Sequence, residues 1–480
     1  MQDSLQMVAN RVHTQMFEYL NKDFTAAEVS FATHQLKSNA APGPDGLNAK
    51  FYQAHWDILG TDITQAVLHI LNNGGSPAMY NDTYICLIPK NNNPSTPADF
   101  RPIALCNVIL KIITKTIANR IKEILPEVIS PQQSAFLPGR LITDNTVLAF
   151  ETFHHLKHNK NKEKGFVGIK LDMAKAYDRL EWSFIENTLN TMGFPSNMVH
   201  TIMKCVTSVS FSILVNGEPS QYFAPQRGIR QGDPLSPYLF ILCADVFSSM
   251  LTNKQDQSLI NEISIAQNAP KVSHLFFADD SLIFCQANKE EVVQLKSVFD
   301  EYERISGQKI NLGKSEMTFS PNIQQSIKEE FQDVLPFSIT NNISKYLGMP
   351  TQVGHSKQAS FSYIMDKVRN KLKGWKERHL SYAGRSILIS AVIQAIPIYL
   401  MSCFVLPKVI CDQIEQTMCR FWWGSRDRQH KIHWRAKKSI FKSKLAGGLG
   451  FRDHYAKKAF RQRLFWPYTT LYKCCLFWRC

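Results

Sequence analysis

Residues 274–285 read H-L-F-F-A-D-D-S-L-I-F-C, with two adjacent acids, Asp279 and Asp280, between two short apolar runs. The runs 275–277 and 282–284 are too short for helices and rich in strand formers. With the acids and Ser281 at the turn, the stretch predicts a β-hairpin. An isolated Asp-Asp is ordinarily a solvated turn, because Asp is a favoured turn residue. A third acid changes that reading. Residues 166–172, F-V-G-I-K-L-D, form a buried-strand pattern that delivers Asp172 at its carboxyl end. Asp172 alone could be a helix N-cap, since residues 173–180 have helical character. Placed on a strand beside the hairpin, in one antiparallel sheet, it would bring its carboxylate to Asp279 and Asp280. Carboxylates plus phosphate oxygens are what a hard cation such as Mg²⁺ requires.

The chain has 480 residues, 44% apolar and 20% charged, which bounds it as a globular protein of several domains. Its net charge of +15 suits a polyanionic partner, nucleic acid before an anionic membrane. The eleven cysteines show no C-x-x-C spacing, which argues against zinc. The first residues carry no signal-peptide pattern, so these are expected as reduced, intracellular thiols. The apolar stretch 387–406 contains Pro397 and several polar residues, and predicts two buried helices broken at the proline rather than a membrane span.

Outward from the acids, the chain supplies further candidates. Thr25 to Glu28 is a capping box opening a helix, and a helical stretch is expected over about 48–72. A strand over 84–89 delivers Lys90, and a polar loop leads to Arg101, a basic pair suited to a polyphosphate. Lys111, Lys115, Arg120 and Lys122 alternate with isoleucines, which predicts a helix with one core face and one face for solvent or phosphates. Residues 132–140, Q-Q-S-A-F-L-P-G-R, read as a turn segment. In 226–237, Q-R-G-I-R-Q-G-D-P-L-S-P, the glycines permit close backbone approach, and Arg227 and Arg230 are candidate phosphate partners. From 357 onward the chain turns helical, basic and tryptophan-bearing, including Trp375, Lys376, Arg378, Trp422, Trp423 and Trp434. That composition fits either a surface that stacks on bases or a helical core with outward cations.

Together these segments resemble the reverse transcriptases of plant non-LTR (long interspersed element type) retrotransposons. The ordered motifs are A-P-G-P-D-G (41–46), L-I-P-K (87–90), D-F-R-P-I-A-L-C-N (99–107), Q-S-A-F-L-P-G-R-L-I-T-D-N (133–145), L-D-M-A-K-A-Y-D (171–178), R-G-I-R-Q-G-D-P-L-S-P (227–237), F-A-D-D (277–280), S-G-Q-K-I-N-L-G-K-S (306–315) and Y-L-G-M-P (346–350). The resemblance implies an α+β right-hand polymerase: an N-terminal helical extension (1–69), fingers (about 70–165), a palm with an antiparallel sheet (about 166–350), a helical thumb (351–440) and a degenerate tail (441–480).

It also implies roles. Asp172, Asp279 and Asp280 would hold two Mg²⁺ ions, with Mn²⁺ as a substitute, for nucleotidyl transfer from a dNTP to a primer 3′-hydroxyl. Lys90 and Arg101 would grip the triphosphate, Gln231 and Gly232 would line the nucleotide pocket, and Lys314 would serve as acid toward pyrophosphate. Tyr177, five residues after Asp172, would be the steric gate against a ribose 2′-hydroxyl. Residues 346–349 would form the primer grip. The implied partners are an RNA template, a DNA primer and dNTPs, with no membrane, in an intracellular and nuclear setting. Upstream endonuclease and downstream zinc-knuckle or ribonuclease H regions are not visible, so a fragment or decayed copy is expected. The alternative is a catalytically inactive nucleic-acid-binding remnant. A group II intron maturase would share the fingers and palm, but F-W-W-G (421–424) and G-G-L-G-F (447–451) argue against it.

Overall fold

The computed structural model describes residues 2–159, 165–266, 269–354, 356–373, 380–424 and 431–452. Two compact units divide them: residues 1–145, 156–263 and 272–341 in the first, and 146–155, 264–271 and those from 342 in the second.

The first unit holds two sheets. One has the strand order β2-β1-β4-β5, built from β1 (Asp82–Pro89), β2 (Phe100–Cys106), β4 (Ser210–Val215) and β5 (Glu218–Pro219). β1 runs antiparallel to β2 and parallel to β4. In sequence between them lies β3 (Phe166–Leu171), which belongs to the other sheet. After the two-residue strands β6 (Ile263–Ser264) and β7 (Lys271–Val272) come β8 (His274–Phe277) and β9 (Asp280–Gln286), then β10 (Glu316–Phe319) and β11 (Ser338–Ile339). The second sheet has the order β11-β10-β3-β9-β8, and its long central pairs are antiparallel. β9 is covered on both faces: Ser281 to Cys285 are all buried. A central strand buried on both sides reads as a continuous apolar run, which is why 282–284 lack alternation. Each such side chain contributes about 1.5–3 kcal/mol by leaving water.

Two long helices form the floor. Helix Val108–Val128 buries Ile112, Ile113, Ile117 and Ile121, and packs on helices Ala26–Gln35 and Trp56–Asn73. Helix Ser236–Asp256 buries every residue from Leu239 to Leu251, and packs on Trp182–Met192 and Lys289–Ser306. The capping box at Thr25 is present. The expected helix over 48–72 is two helices, Ala49–Ala54 and Trp56–Asn73, interrupted at His55 and ended by Gly74 at φ 69°. The eight cysteines among the described residues are free thiols.

The second unit has its own core, including Phe361, Ile364, Val368, Ile389, Ile414 and Phe421. The 387–406 stretch breaks at Pro397 as expected, but its helices are not buried throughout: Ile387 is 66% exposed, and of helix Ile398–Cys403 only Leu400 is buried. Helix Tyr382–Leu388 passes into a π-turn at Ile389–Ile393, and helix Ile398–Cys403 begins directly after Pro397. No helix among the described residues is long and apolar enough to cross a membrane. Strands β12 (Lys345–Tyr346) and β13 (Met349–Pro350) close through Leu347 and Gly348 at φ 49° and 76°, the two positive values of a type I′ turn. The Tyr399 hydroxyl donates to the Leu347 carbonyl at 3.0 Å. Tyr346 is 2% exposed, so its ring belongs to the core, while Lys345 and Gly348 on either side of it are exposed. Trp423 is buried and stacks on His433, whereas Trp434 is 76% exposed. The aromatics of this unit thus divide between core and surface. Trp375, Lys376, Arg378 and the tail from residue 453 lie outside the described residues.

One basic residue contradicts the amphipathic reading of 111–122. Arg120 is not on the solvent face. It is 4% exposed, donates to Glu28 through Nε at 2.6 Å and to the Asp23 carbonyl at 2.7 Å, and lies 3.6 Å over the Phe24 ring. Helical spacing cannot distinguish a cation facing solvent from one meeting a packed acid. The guanidinium satisfies the carbonyls at the end of one helix and the cap of the next, locking the segment 22–28 to the long helix. Arg120→Met should therefore destabilise the protein by about 3 kcal/mol in urea unfolding, since Glu28 and two carbonyls lose their donor.

Candidate active site

The register of the second sheet fixes the acids. β3 pairs with β9 from Phe166↔Gln286 to Leu171↔Ser281, and β8 meets β9 at Phe277↔Asp280. Asp172 directly follows the last residue of β3, and Asp280 is the first residue of β9, directly before Ser281. The two-residue loop between β8 and β9 is Ala278-Asp279, so the turn lies one residue earlier than the sequence suggested, and Asp280 already belongs to the strand. The expected convergence of Asp172 with the hairpin is present.

Asp172 is held by the segment that follows helix Lys289–Ser306. Its backbone N donates to Ser315 Oγ at 3.2 Å, and its carbonyl accepts from Asn311 N at 2.8 Å. Asn311 Nδ2 donates to the Asp172 carboxylate at 3.1 Å. Gln308 Nε2 donates to the Ala176 carbonyl at 2.7 Å. The 306–315 motif therefore wraps the 172–176 segment. Lys314 is exposed on the Asn311–Ser315 turn, its N donating to the Asn311 carbonyl at 3.2 Å.

The carboxylates oppose one another. Partial desolvation raises the Asp279 carboxyl above its ordinary value, with Asp172 adding to the rise. Asp279 itself is exposed to solvent at the tip of the hairpin, whereas Ala278 and Asp280 on either side of it are half-buried. Asp280 is raised by burial and by Asp279 and Asp172, partly offset by Lys170. Like charges gathered without a cation disfavour their own ionisation, and a divalent ion would relieve this. Among the described residues no three acids, histidines or cysteines form a metal cage. The set still suits Mg²⁺, which takes one or two carboxylates, keeps water, and completes its shell with substrate phosphates.

Tyr177 lies beside the acids. Burial pushes its hydroxyl up to about 12, and the Asp279 charge adds to this. Its ring stacks on Phe240 with centroids 5.0 Å apart and planes 8° apart, which fixes its orientation. The 226–237 segment docks against it: Ile229 N donates to the Tyr177 carbonyl at 2.8 Å, and Trp182 Nε1 to the Gly228 carbonyl at 2.8 Å. A Cβ at Gly228 would meet the Asp178 carbonyl oxygen at 2.8 Å, so this contact requires glycine. The Gln231 carbonyl accepts from Ala104 N at 2.8 Å, which ties Gln231 and Gly232 to β2 of the first sheet.

Lys90 and Arg101 stand on the exposed end of the β1–β2 hairpin, where Ile88 pairs with Arg101. Lys90 Nζ donates to the Ala98 carbonyl at 2.9 Å and closes the connecting loop. Asp99 accepts from the backbone N of Ser95 and Thr96, both at 3.0 Å, and these bonds hold its carboxyl down at about 2. The charge of Lys90 also reaches Asp178, whose carboxyl burial raises and Lys175 and Lys90 pull back. The arginines of 226–237 need correcting. Arg230 is 6% exposed and committed to Asp233 at 2.9 Å, to the Cys205 carbonyl and to Asn81, so it holds the sheet and faces no ligand. Arg227 is exposed but paired with Glu181 at 3.1 Å. Two residues had escaped the sequence: Asn311, which bonds the Asp172 carboxylate directly, and Gln133, whose Oε1 accepts from the N of Ala278, the residue before Asp279, at 3.0 Å. Their motifs were visible; nothing in residue type marked the partner.

The family profile described as "Reverse transcriptase (RNA-dependent DNA polymerase)" matches residues 88–351, more than half of the chain. The Transposon TX1 uncharacterized 149 kDa protein of Xenopus laevis is 26% identical over 410 residues, 85% of this chain and 30% of its own length. The Retrovirus-related Pol polyprotein from type-2 retrotransposable element R2DM of Drosophila melanogaster is 28% identical over 301 residues, 62% of this chain and 27% of its own. An uncharacterized mitochondrial protein of Arabidopsis thaliana is 48% identical over 68 residues, 14% of this chain and 56% of its own. The chain thus spans less than a third of the length of the two transposable-element relatives.

Both raised carboxyls make the metal-free fold more stable as pH falls through their titration range and less stable as pH rises through it, the reverse of a salt-bridged acid. Millimolar Mg²⁺ should raise the Tm of the wild type at pH 7.5, with a smaller rise at pH 5.5, where protons compete. In differential scanning fluorimetry, Asp279→Asn should lose most of the Mg²⁺-dependent rise.

Proposed function

The chain belongs to the reverse transcriptase (RNA-dependent DNA polymerase) family, with its α+β right-hand polymerase fold, and from that premise we propose that it is the RNA-directed DNA polymerase of a non-LTR retrotransposon. The observation that carries the proposal is the meeting of Asp172 with the Asp279–Asp280 hairpin across adjacent strands, with the Tyr177 ring held beside them. The short, more closely similar stretch shared with an Arabidopsis thaliana protein supports a plant element.

Asp172, Asp279 and Asp280 would hold the divalent cations, Mg²⁺ with Mn²⁺ as a substitute, which supply acidification of a primer 3′-hydroxyl and neutralisation of phosphate charge. The protein's own part is positioning. The Asn311 amide and Ser315 hydroxyl fix Asp172, so its carboxylate is oriented before substrate arrives. Lys90 and Arg101, at the exposed hairpin end, meet the triphosphate, and the closed loop between them limits how far either strays. Gln231 and Gly232 line the pocket near the sugar, held at β2. Tyr177, stacked on Phe240, cannot swing away, so a ribose 2′-hydroxyl would collide with its ring. Lys314, exposed on the turn that holds Asp172, returns a proton to the leaving pyrophosphate. Strands β1 and β2 with their loop fall in the fingers (about 70–165), the β11-β10-β3-β9-β8 sheet in the palm (about 166–350) and the helices of 351–440 in the thumb, while β4 and β5, expected within the palm, extend the sheet of the fingers strands. RNA template, DNA primer and dNTPs are the partners, and the setting is the nucleus.

Primer extension on an RNA template with a DNA primer, dNTPs and Mg²⁺ tests the proposal. The wild type should extend, and Asp279→Ala with Asp280→Ala should fall by at least about 10³-fold. Template–primer binding without extension would instead identify an inactive nucleic-acid-binding remnant. In the same assay Tyr177→Ala should incorporate ribonucleotides at least about tenfold better relative to dNTPs. Unchanged discrimination would remove Tyr177 from the gate.

A further inference from the structure

The loop Ala278-Asp279 joins β8 to β9 beyond the last rung between β3 and β9. Ala278 has φ 55°, whereas Asp279 is not in the positive region. A two-residue hairpin loop with positive φ only at its first position is the type II′ pattern, and that position favours glycine. An alanine there is strained, because its Cβ crowds the backbone. Something else must hold it.

That group is Gln133, from the turn segment 132–140. Its side chain is 1% exposed. Its Oε1 accepts from Ala278 N at 3.0 Å and from Ala135 N at 2.9 Å. Two backbone donors on one atom require that atom to be oxygen, which fixes the amide orientation. Its Nε2 has no hydrogen-bond partner among the described residues, so the contact with Ala278 runs through the oxygen alone. The segment carrying Gln133 is itself immobilised. Ser134 N and Asn145 Nδ2 donate to the Phe276 carbonyl at 3.0 and 2.8 Å, and Phe276 N donates to the Gln132 carbonyl at 2.9 Å. Arg140 clasps the Ser130 and Gln133 carbonyls, both at 2.6 Å.

We propose that Gln133 is a positioning residue for nucleotidyl transfer: by clamping Ala278 in a left-handed conformation it sets the direction in which Asp279 faces Asp172. This rests on the polymerase reading above. Alanine needs the clamp to hold this positive φ, whereas glycine adopts it without strain. Gln133→Met keeps the length of the side chain and removes the acceptor, leaving the strained turn without support. Ala278→Gly removes the strain by another route.

Four full-length proteins decide the matter: wild type, Gln133→Met, Ala278→Gly and the double variant. Gln133→Met should lower kcat for primer extension about 30-fold, with template–primer Kd within about twofold of wild type. The double variant should recover at least about fivefold of that loss, because glycine favours the loop geometry unaided. Amide exchange in peptides covering 275–283 should accelerate in Gln133→Met while exchange in helix Val108–Val128 does not. Unchanged kcat, a loss that Ala278→Gly does not relieve, or a parallel loss of template–primer affinity would overturn the clamp. Should the wild type fail to extend primers, the polymerase reading falls. The exchange measurement then decides the clamp alone: acceleration confined to the hairpin retains it, and unchanged exchange overturns it.

Discussion

The backbone ladder between β3 and β9 is the constraint on which the site depends. Six consecutive residue pairs, from Phe166↔Gln286 to Leu171↔Ser281, set where each strand ends. A slip of one residue would turn every side chain of β9 to the opposite face. It would place Ser281 where Leu282 now packs and Leu282 where Ile283 does, and draw Asp280 out of line with Asp172. The buried apolar residues of both strands forbid that slip. The position of the three carboxylates is therefore an outcome of core packing, and the raised Asp279 and Asp280 are its electrostatic cost.

A polar scaffold surrounds that ladder and is almost wholly enclosed. Asp245, 1% exposed on helix Ser236–Asp256, accepts from Ser130 N at 2.9 Å and pairs with Arg11. Burial raises its carboxyl, and the charges of Arg11 and Arg140 pull it back. Arg11 also donates to the Val128 carbonyl at 2.8 Å. The N-terminal helices are thereby attached to the same turn segment that reaches the hairpin. His274, at the start of β8, is fully buried between Ser248 and Ser273, and burial pushes it down to about 3. Its two ring nitrogens are each taken up by a serine hydroxyl inside the core.

What could be read from the sequence was local or periodic. The hairpin, the acid at the end of β3, the capping box at Thr25 and the break at Pro397 all follow from short-range rules of backbone and side-chain geometry. The ordered motifs carried the fold and the family. What could not be read was the partner of each polar group. Arg120 and Arg230 look like surface cations in the sequence and are buried, because their partners, Glu28, Asn81 and the Cys205 carbonyl, lie far away along the chain. Gln133 and Asn311 look like loop polars, and their amides meet the site only after the sheet closes. Charge and periodicity describe a residue; burial with a distant partner is a property of the fold.

The parallel pairing of β1 with β4 has a consequence for how the chain assembles during synthesis. A parallel pair cannot close through a tight turn, and the crossover here contains β3, a strand of the other sheet. β3 in turn waits for β9, since its antiparallel neighbours β9 and β10 both follow it in sequence. At roughly 5–20 residues per second, translation leaves β3 exposed for about 5–20 seconds before residue 280 emerges. During that interval its apolar face and both edges have no native partner. The loops of high sequence separation that bring the acids together also make this nascent strand the point most open to misassembly, and the long isoleucine-rich helix Val108–Val128, complete before it, is the surface available to shelter it.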